Sequence, residues 1–443
     1  MTDQDATGAH EAASYIRPIY RSSPDGVVRV YAGDLIVSID GTSHSTQGDL
    51  ELHLSPRPSF SAHIAGSDPW MMHLWTNNEG PAVELPIDMN LDPPSQSALS
   101  PRPSEATSWA DEKVTINHLV SGDTSNINRL IFHITGPVTR HPLPRVFTLE
   151  GDQDQLAFAL PGWTLRMAPV DEELGPQGFS FVIEAVPDSY PVNEERVEQL
   201  RRRCYLLLSF ISSREIGVGP LVGLDDNGKV VWAEFGAPRL GDGQWRWCPD
   251  HLVTEALPSL AQGMCALAAN SSLEQVVDRA INLFLAANSR QVLDVRIPVA
   301  CSGLELLSWA ILQHYQWLNK DALDKIPAGA QVGLLLRWAS VPVDIPADFS
   351  ALESRKRALN SAGDWVSTDV IFNIRNSLVH PPKKFSQPEW PTSQELVEAW
   401  RLAMEYLELS LLRMLDYQGQ YLPRLQVTAR WVTDTESVPW ARK

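Results

Sequence analysis

At 443 residues, with 44% hydrophobic and 20% charged, the chain is too long for one ordinary core, so two or three soluble globular domains are expected. A formal net charge of −18 excludes a protein that coats nucleic acid indiscriminately. The polar, acidic start Met1-Thr2-Asp3-Gln4-Asp5 is no signal peptide, and no apolar run is expected to reach the roughly 18 residues that cross a bilayer. Four scattered cysteines (Cys204, Cys248, Cys265, Cys301) form no CxxC pair and read as reduced thiols, so a cytoplasmic protein without membrane contact is expected.

From about Tyr15 to Pro187 the chain reads as β. Val27–Tyr31, Leu35–Ile39 and Leu50–Leu54 are short apolar or alternating runs parted by glycine-containing turns. Gly178–Ala185 reads as a further strand with Phe179 and Phe181 on one face. Many short strands predict a sandwich or a partly open barrel over residues 1–190. Pro93–Pro103, rich in Pro and Ser, reads as a surface loop or linker. Residues 191–250 hold a helix, acidic in its first turns at Asn193–Leu200 and running to Phe210, then a hairpin at Asn227-Gly228. Residues 251–443 read as an all-α bundle with a C-terminal tail, which makes the fold class α+β. Its predicted helices are Leu273–Ala287, Pro298–Asn319, Gln331–Ala339, Ala347–Asn360, Val366–Val379 and Ser393–Asp416. Leu425–Val432 reads as a returning strand.

Arg375-Asn376-Ser377-Leu378-Val379-His380 carries the chemistry. Val370, Ile371, Ile374 and Leu378 recur at helical spacing and predict a core-facing stripe, with Asn376 and His380 on a shared face and Arg375 on its flank. Pro381 and Pro382 make His380 the last helical residue. Arginine clamps phosphate through parallel hydrogen bonds, and histidine passes protons near neutrality. Such a pair can cleave RNA without a metal, because the substrate's 2′-hydroxyl is the nucleophile. Spacing alone is weak: Arg246 and His251 repeat it, and with 11 histidines about half a match arises by chance. Pro249 interrupts that first copy, which lies in a Gly/Trp/Pro-rich stretch without helical period, so it is set aside.

Arg375-Asn376-x3-His380, late in a helical domain, resembles the Arg-polar-x3-His signature of HEPN domains. Val299–Trp309, an apolar run carrying Glu305, resembles the early HEPN helix, and the likeness covers about residues 290–420. Phe210–Gly217 with the Asp-Asn-Gly hairpin is similar, more loosely, to the segment joining the front part to the HEPN domain in ApeA-like antiphage proteins. The resemblance implies a metal-independent HEPN endoribonuclease in antiviral defence, with no cofactor. It also implies that two such domains pair as a homodimer around one cleft and leave 2′,3′-cyclic phosphate ends. Catalytic candidates are Arg375 and His380, with Asn376 to position His380 or bond phosphate and Glu305 to orient either.

Between Ala351 and Lys384 six basic residues stand against three acidic ones. Arg355, Lys356, Arg357, Lys383 and Lys384 are therefore RNA-binding candidates, and a solvated helix face explains the first three as well. The β part is expected to sense a phage-derived or host protein trigger, or to restrain the nuclease. His118, His133 and His141 are read as scattered, with no metal expected, and Trp70, Trp75, Trp109 and Trp163 as core or as a recognition surface. The alternative is a non-catalytic HEPN-fold adaptor that dimerises or binds RNA or protein.

Overall fold

The computed structural model describes residues 16–23, 25–39, 42–55, 57–65, 82–84, 104–110, 113–116, 118–138, 143, 145–148, 151–170, 178–359, 365–380, 390–425 and 434–441. The N-terminal part is a closed barrel of β1 (Val27–Ile39), β2 (Thr42–His53), β3 (Ser59–Ala65), β4 (Ala82–Glu84), β5 (Ser104–Ala110) and β6 (Lys113–Ile116). Its strand order is β1-β2-β3-β6-β5-β4. Val28, Val30, Leu50, Leu52, Phe60 and Ala62 turn to one core, as period-two alternation dictates. Val27–Tyr31 and Leu35–Ile39, expected as two strands, are one: Gly33 stays in the ladder opposite Gly48 instead of turning the chain. Facing glycines suit the tight curvature of a small barrel.

A second, seven-stranded sheet has the order β11-β12-β13-β8-β14-β15-β7. It comprises β7 (His118–Gly122), β8 (Arg129–Thr135), β11 (Leu156–Leu160), β12 (Trp163–Pro169), β13 (Phe179–Pro187), β14 (Gly217–Leu224) and β15 (Val230–Gly236). Two short strands between β8 and β11, β9 (Arg145–Thr148) and β10 (Gly151–Asp154), pair with each other and, among the described residues, with no other strand. The β region is thus a closed barrel plus a separate sheet. Leu130, Phe132 and Ile134 of β8 face the helical core while Ile131 faces the barrel core. A strand buried on both faces loses its polar alternation. The hairpin β14–β15 completes this sheet, β14 pairing with β8 and β15 with β7. Helix α1 (Glu194–Ser212), capped by Asn193 Oδ1 on Arg196 N at 2.9 Å, contributes Leu200, Cys204 and Phe210 to the core beside it.

The chain then becomes helical: α2 (Val253–Leu267), α3 (Ser271–Asn288), α4 (Leu293–His314), α5 (Lys320–Leu323), α6 (Ala328–Trp338), α7 (Ser350–Leu359), α8 (Ser367–Val379) and α9 (Ser393–Met414). The architecture is α+β as expected, a β-rich front followed by a helical region. Sequence periodicity did not single out α2, which carries an internal Pro258. The expectation that nothing is long and apolar enough to cross a bilayer is corrected by α4, 22 residues with mean hydropathy 1.5 over its best window. That window is 61% buried against α3, α6, α8 and α9, which explains an apolar helix as the centre of a bundle. The expected strand Leu425–Val432 lies, after its first residue, outside the described residues. The nearby β16 (Gln420–Tyr421) pairs with β17 (Glu436–Ser437).

Candidate functional site

Helix α8 starts where Asp369 Oδ2 accepts the Val366 N–H at 3.1 Å, which gives Asp369 a capping role. Val370, Ile371, Phe372 and Ile374 are buried, fixing the helix's rotation. Arg375 consequently leans along the bundle toward α4, with Asn376 and His380 exposed. The last turn closes through the His380 N–H on the Asn376 carbonyl at 3.0 Å, and His380 itself is extended (φ −117°, ψ 144°), as a residue before proline must be. His380 was expected as the last helical residue; the helix instead ends at Val379, and the imidazole hangs from the residue just past it.

Arg375 Nη2 lies 3.5 Å from Glu305 Oε1, and its Nη1 donates to Asn376 Oδ1 at 3.1 Å. Glu305 and Arg375 are 33% and 23% exposed, so the pair sits at a solvent-reached rim rather than inside the core. Its Nε is buried and has no hydrogen-bond partner among the described residues. Three of the four catalytic candidates therefore form one connected group, and His380 follows Asn376 by four residues, joined to it through its backbone N–H. Cys301, one turn before Glu305 on α4, is fully buried; burial, reinforced by the Glu305 charge, pushes its thiol up and keeps it an unreactive packing group.

The basic strip divides. Arg355 turns inward, donating from Nε and Nη2 to Asn373 Oδ1 at 3.0 and 2.9 Å and pairing with Glu395 at 3.2 Å. It ties α7, α8 and α9 together, and its partners Asn373 and Glu395 have no short-range sequence signal. Lys356 is half-buried, and Arg357 is exposed with Glu353 at 3.4 Å. Lys383 and Lys384 lie outside the described residues. Two exposed side chains border the site: Trp309, one turn beyond Glu305 and 47% exposed, and Val379 at 44%.

Other sequence candidates have structural fates. Arg246 of the discarded copy pairs with Asp250 and the Val138 carbonyl. His133 is buried; its Nδ1 donates to the Pro220 carbonyl at 2.9 Å and its Nε2 accepts the Ile19 and Tyr20 N–H groups at 3.1 Å each. Both nitrogens are engaged, which leaves none for a metal. His118 pairs with Glu234 at 2.9 Å, and His141 lies outside the described residues. Trp163 is core; Trp70 and Trp75 fall outside the described residues, and Trp109 lies in β5 with its side chain outside them.

Sequence reasoning missed Arg424. Its guanidinium, 1% exposed, donates from Nε to Glu408 Oε2 at 2.7 Å, and its backbone N–H donates to Glu405 Oε2 at 2.6 Å. Arg424 and Arg296 both lie over the Trp400 ring, with Arg296 Cζ 3.8 Å from its centroid. Glu398, Glu405 and Glu408 on one helix face hinted at buried cations, and only the fold says which ones.

Residues 270–437, which include α3 to α9 and the Arg375–His380 motif, match the family model described as the YopA C-terminal domain. The chain is 24% identical over 239 residues to the SPbeta prophage-derived uncharacterized protein YopA of Bacillus subtilis (strain 168). That match covers 53% of this chain and 51% of the relative, so the chain spans about half the length of the curated relative it matches. No solved structure matches the chain.

Proposed function

We propose that the helical domain is a HEPN-type, metal-independent endoribonuclease whose cutting group is Arg375, His380, Asn376 and Glu305. The observation that carries the reading is the linked set Glu305–Arg375–Asn376 beside an exposed histidine at a helix end. Glu305 and Asn376 hold the guanidinium at the rim, where it neutralises charge building on phosphorus. His380 takes the 2′-hydroxyl proton or delivers one to the leaving 5′-oxygen. The bond from the 2′-oxygen to phosphorus forms as the 5′-oxygen bond breaks, leaving a 2′,3′-cyclic phosphate. One His380 cannot perform both transfers in a concerted step, and a second copy would supply the other. Exposed Trp309 and Val379 beside the site are apolar surface that such pairing buries.

Lys356 and Arg357 fit an RNA strand better than Arg355, which the bundle already uses. A relative named as prophage-derived supports a setting of conflict between phage and host. In that setting the β part restrains the nuclease until a phage-derived or host protein engages it, and the protein acts in the cytoplasm. The test compares wild type with His380→Ala on labelled RNA in EDTA, with the new ends mapped and growth followed on expression. Cyclic ends from wild type alone support the reading. RNA left intact by wild type, without growth arrest on expression, would favour the non-catalytic adaptor.

A further inference from the structure

A second cluster lies far from this motif, on the β barrel. Glu51 and His53 are two apart on β2 and share a face, opposite Leu50 and Leu52 in the core. Antiparallel register sets Glu51 against Ser61 and His63 against Asp49 on β3. The two imidazoles therefore flank Glu51 from either side. Both His53 Nε2 and His63 Nε2 lie 3.5 Å from the same oxygen, Glu51 Oε2. The other oxygen, Oε1, faces Arg29 Nη2 at 3.8 Å, which leaves Oε2 to the histidines.

These separations have a chemical reading. A distance of 3.5 Å is long for a hydrogen bond but close to the ~3.3–3.4 Å edge of a tetrahedron whose ligands stand about 2.0–2.1 Å from zinc. All three ligand atoms lie within 4.8 Å of one another. Two further observations come from the same face of β2 and β3. His63 Nε2 is buried and makes no hydrogen bond among the described residues, although the rest of its ring reaches solvent. Ser61, directly opposite Glu51 and 0% exposed, has a buried Oγ that likewise makes none. Glu51, His53 and His63 are half-buried, and a buried polar atom such as His63 Nε2 or Ser61 Oγ is costly unless something satisfies it.

We infer that Glu51, His53 and His63 bind one divalent transition-metal ion of the zinc type on the face of the barrel away from its core. Two imidazoles and one carboxylate form a donor set suited to zinc, and three protein ligands leave the fourth position for water or an incoming donor. The ion crosslinks β2 and β3.

The test uses the untagged 443-residue chain, stripped with EDTA, dialysed and titrated calorimetrically with zinc chloride. One equivalent binds wild type, and His63→Ala and Glu51→Gln weaken binding by about 10–100-fold or more. His118→Ala, which removes the imidazole paired with Glu234, leaves it unchanged. His63→Cys guards against misfolding: loaded with cobalt it keeps a tetrahedral visible spectrum and gains a thiolate charge-transfer band. Wild type that takes up no zinc, or Glu51→Gln and His63→Ala that bind as tightly as wild type, overturns the site. The readout involves no RNA, so its failure is separate from failure of the nuclease reading.

Discussion

In the proposed site, Glu305 and His380 separate positioning from proton transfer at single residues. His380→Ala is expected to lower RNA cleavage by about 10²–10⁴-fold, the usual worth of a placed acid–base group. Glu305→Gln leaves the catalytic atoms in place but releases the Arg375 guanidinium from its 3.5 Å partner. A 10- to ~100-fold loss of cleavage is expected from that displacement. Both groups of the pair are about a quarter to a third exposed, so its loss costs stability no more than about 1 kcal/mol. Glu305→Gln that melts with wild type yet cleaves slowly satisfies this expectation; equal cleavage removes Glu305 from the site. Arg375 and His380 were legible in the sequence because a helix period and a proline frame them. The contact with Glu305, 70 positions away in the chain, was a guess that only packing of α4 on α8 could test.

Between elements, the C-terminal segment is fastened to α9 by charge. Arg424 donates to Glu408, whose side chain, like its own, is essentially inaccessible to solvent. Removing one member of a buried pair strands the other. Arg424→Met should therefore destabilise the helical part by about 3–5 kcal/mol, and adding Glu408→Leu should recover much of the loss. A denaturant midpoint for each variant decides it, and a double variant no better than the single one refutes the coupling. The junction of α2 with the end of α9 is steric: a Cβ on Gly263 would lie 2.1 Å from the Leu415 carbonyl oxygen. Gly263→Ala must push backbone rather than a side-chain tip, and a loss of about 1–3 kcal/mol is expected by thermal melting. Neither partner of Gly263 nor that of Arg424 is near in sequence.

At the scale of the whole molecule, buried titratable groups set how stability follows pH. Burial, then Glu408, pushes Glu405 up to about 8 from an ordinary 4.5, against the hydrogen bonds from Arg424 N–H and Tyr421. A raised carboxyl stabilises fully below 4.5, and that contribution is lost as pH rises to about 8. Burial pushes His133 the opposite way, from 6.5 to about 4, so its contribution is present above 6.5 and lost as pH falls to about 4. Asp278, raised by burial to about 6, acts in the sense of Glu405 but is spent by then. Of these three, Glu405 alone titrates between about 6.5 and 8. Calorimetric melting should therefore fall across that interval, on the order of 1–2 kcal/mol, and Glu405→Gln should flatten it. A slope unchanged in that variant would assign the effect to another group.

The sequence by itself determined the order of the parts: a β-rich front, a helix and hairpin, then helices marked by apolar period, although α4 runs Leu293–His314 through Pro298 where Pro298–Asn319 was expected. Those signals are local, acting within a turn or two of chain. It also marked Arg375, Asn376 and His380, because an apolar helical stripe and the prolines after it frame them. Tertiary structure decided what depends on distant partners. It joined Val27–Ile39 into one barrel strand, built the hairpin into a sheet buried on both faces, and turned Arg355 inward to Asn373 and Glu395. It also gathered Glu51, His53 and His63 through strand register, and placed Arg424 on Glu408. Burial and register are properties of the assembled core, since a residue's alternation or charge shows which face it prefers but not which neighbour that face will meet.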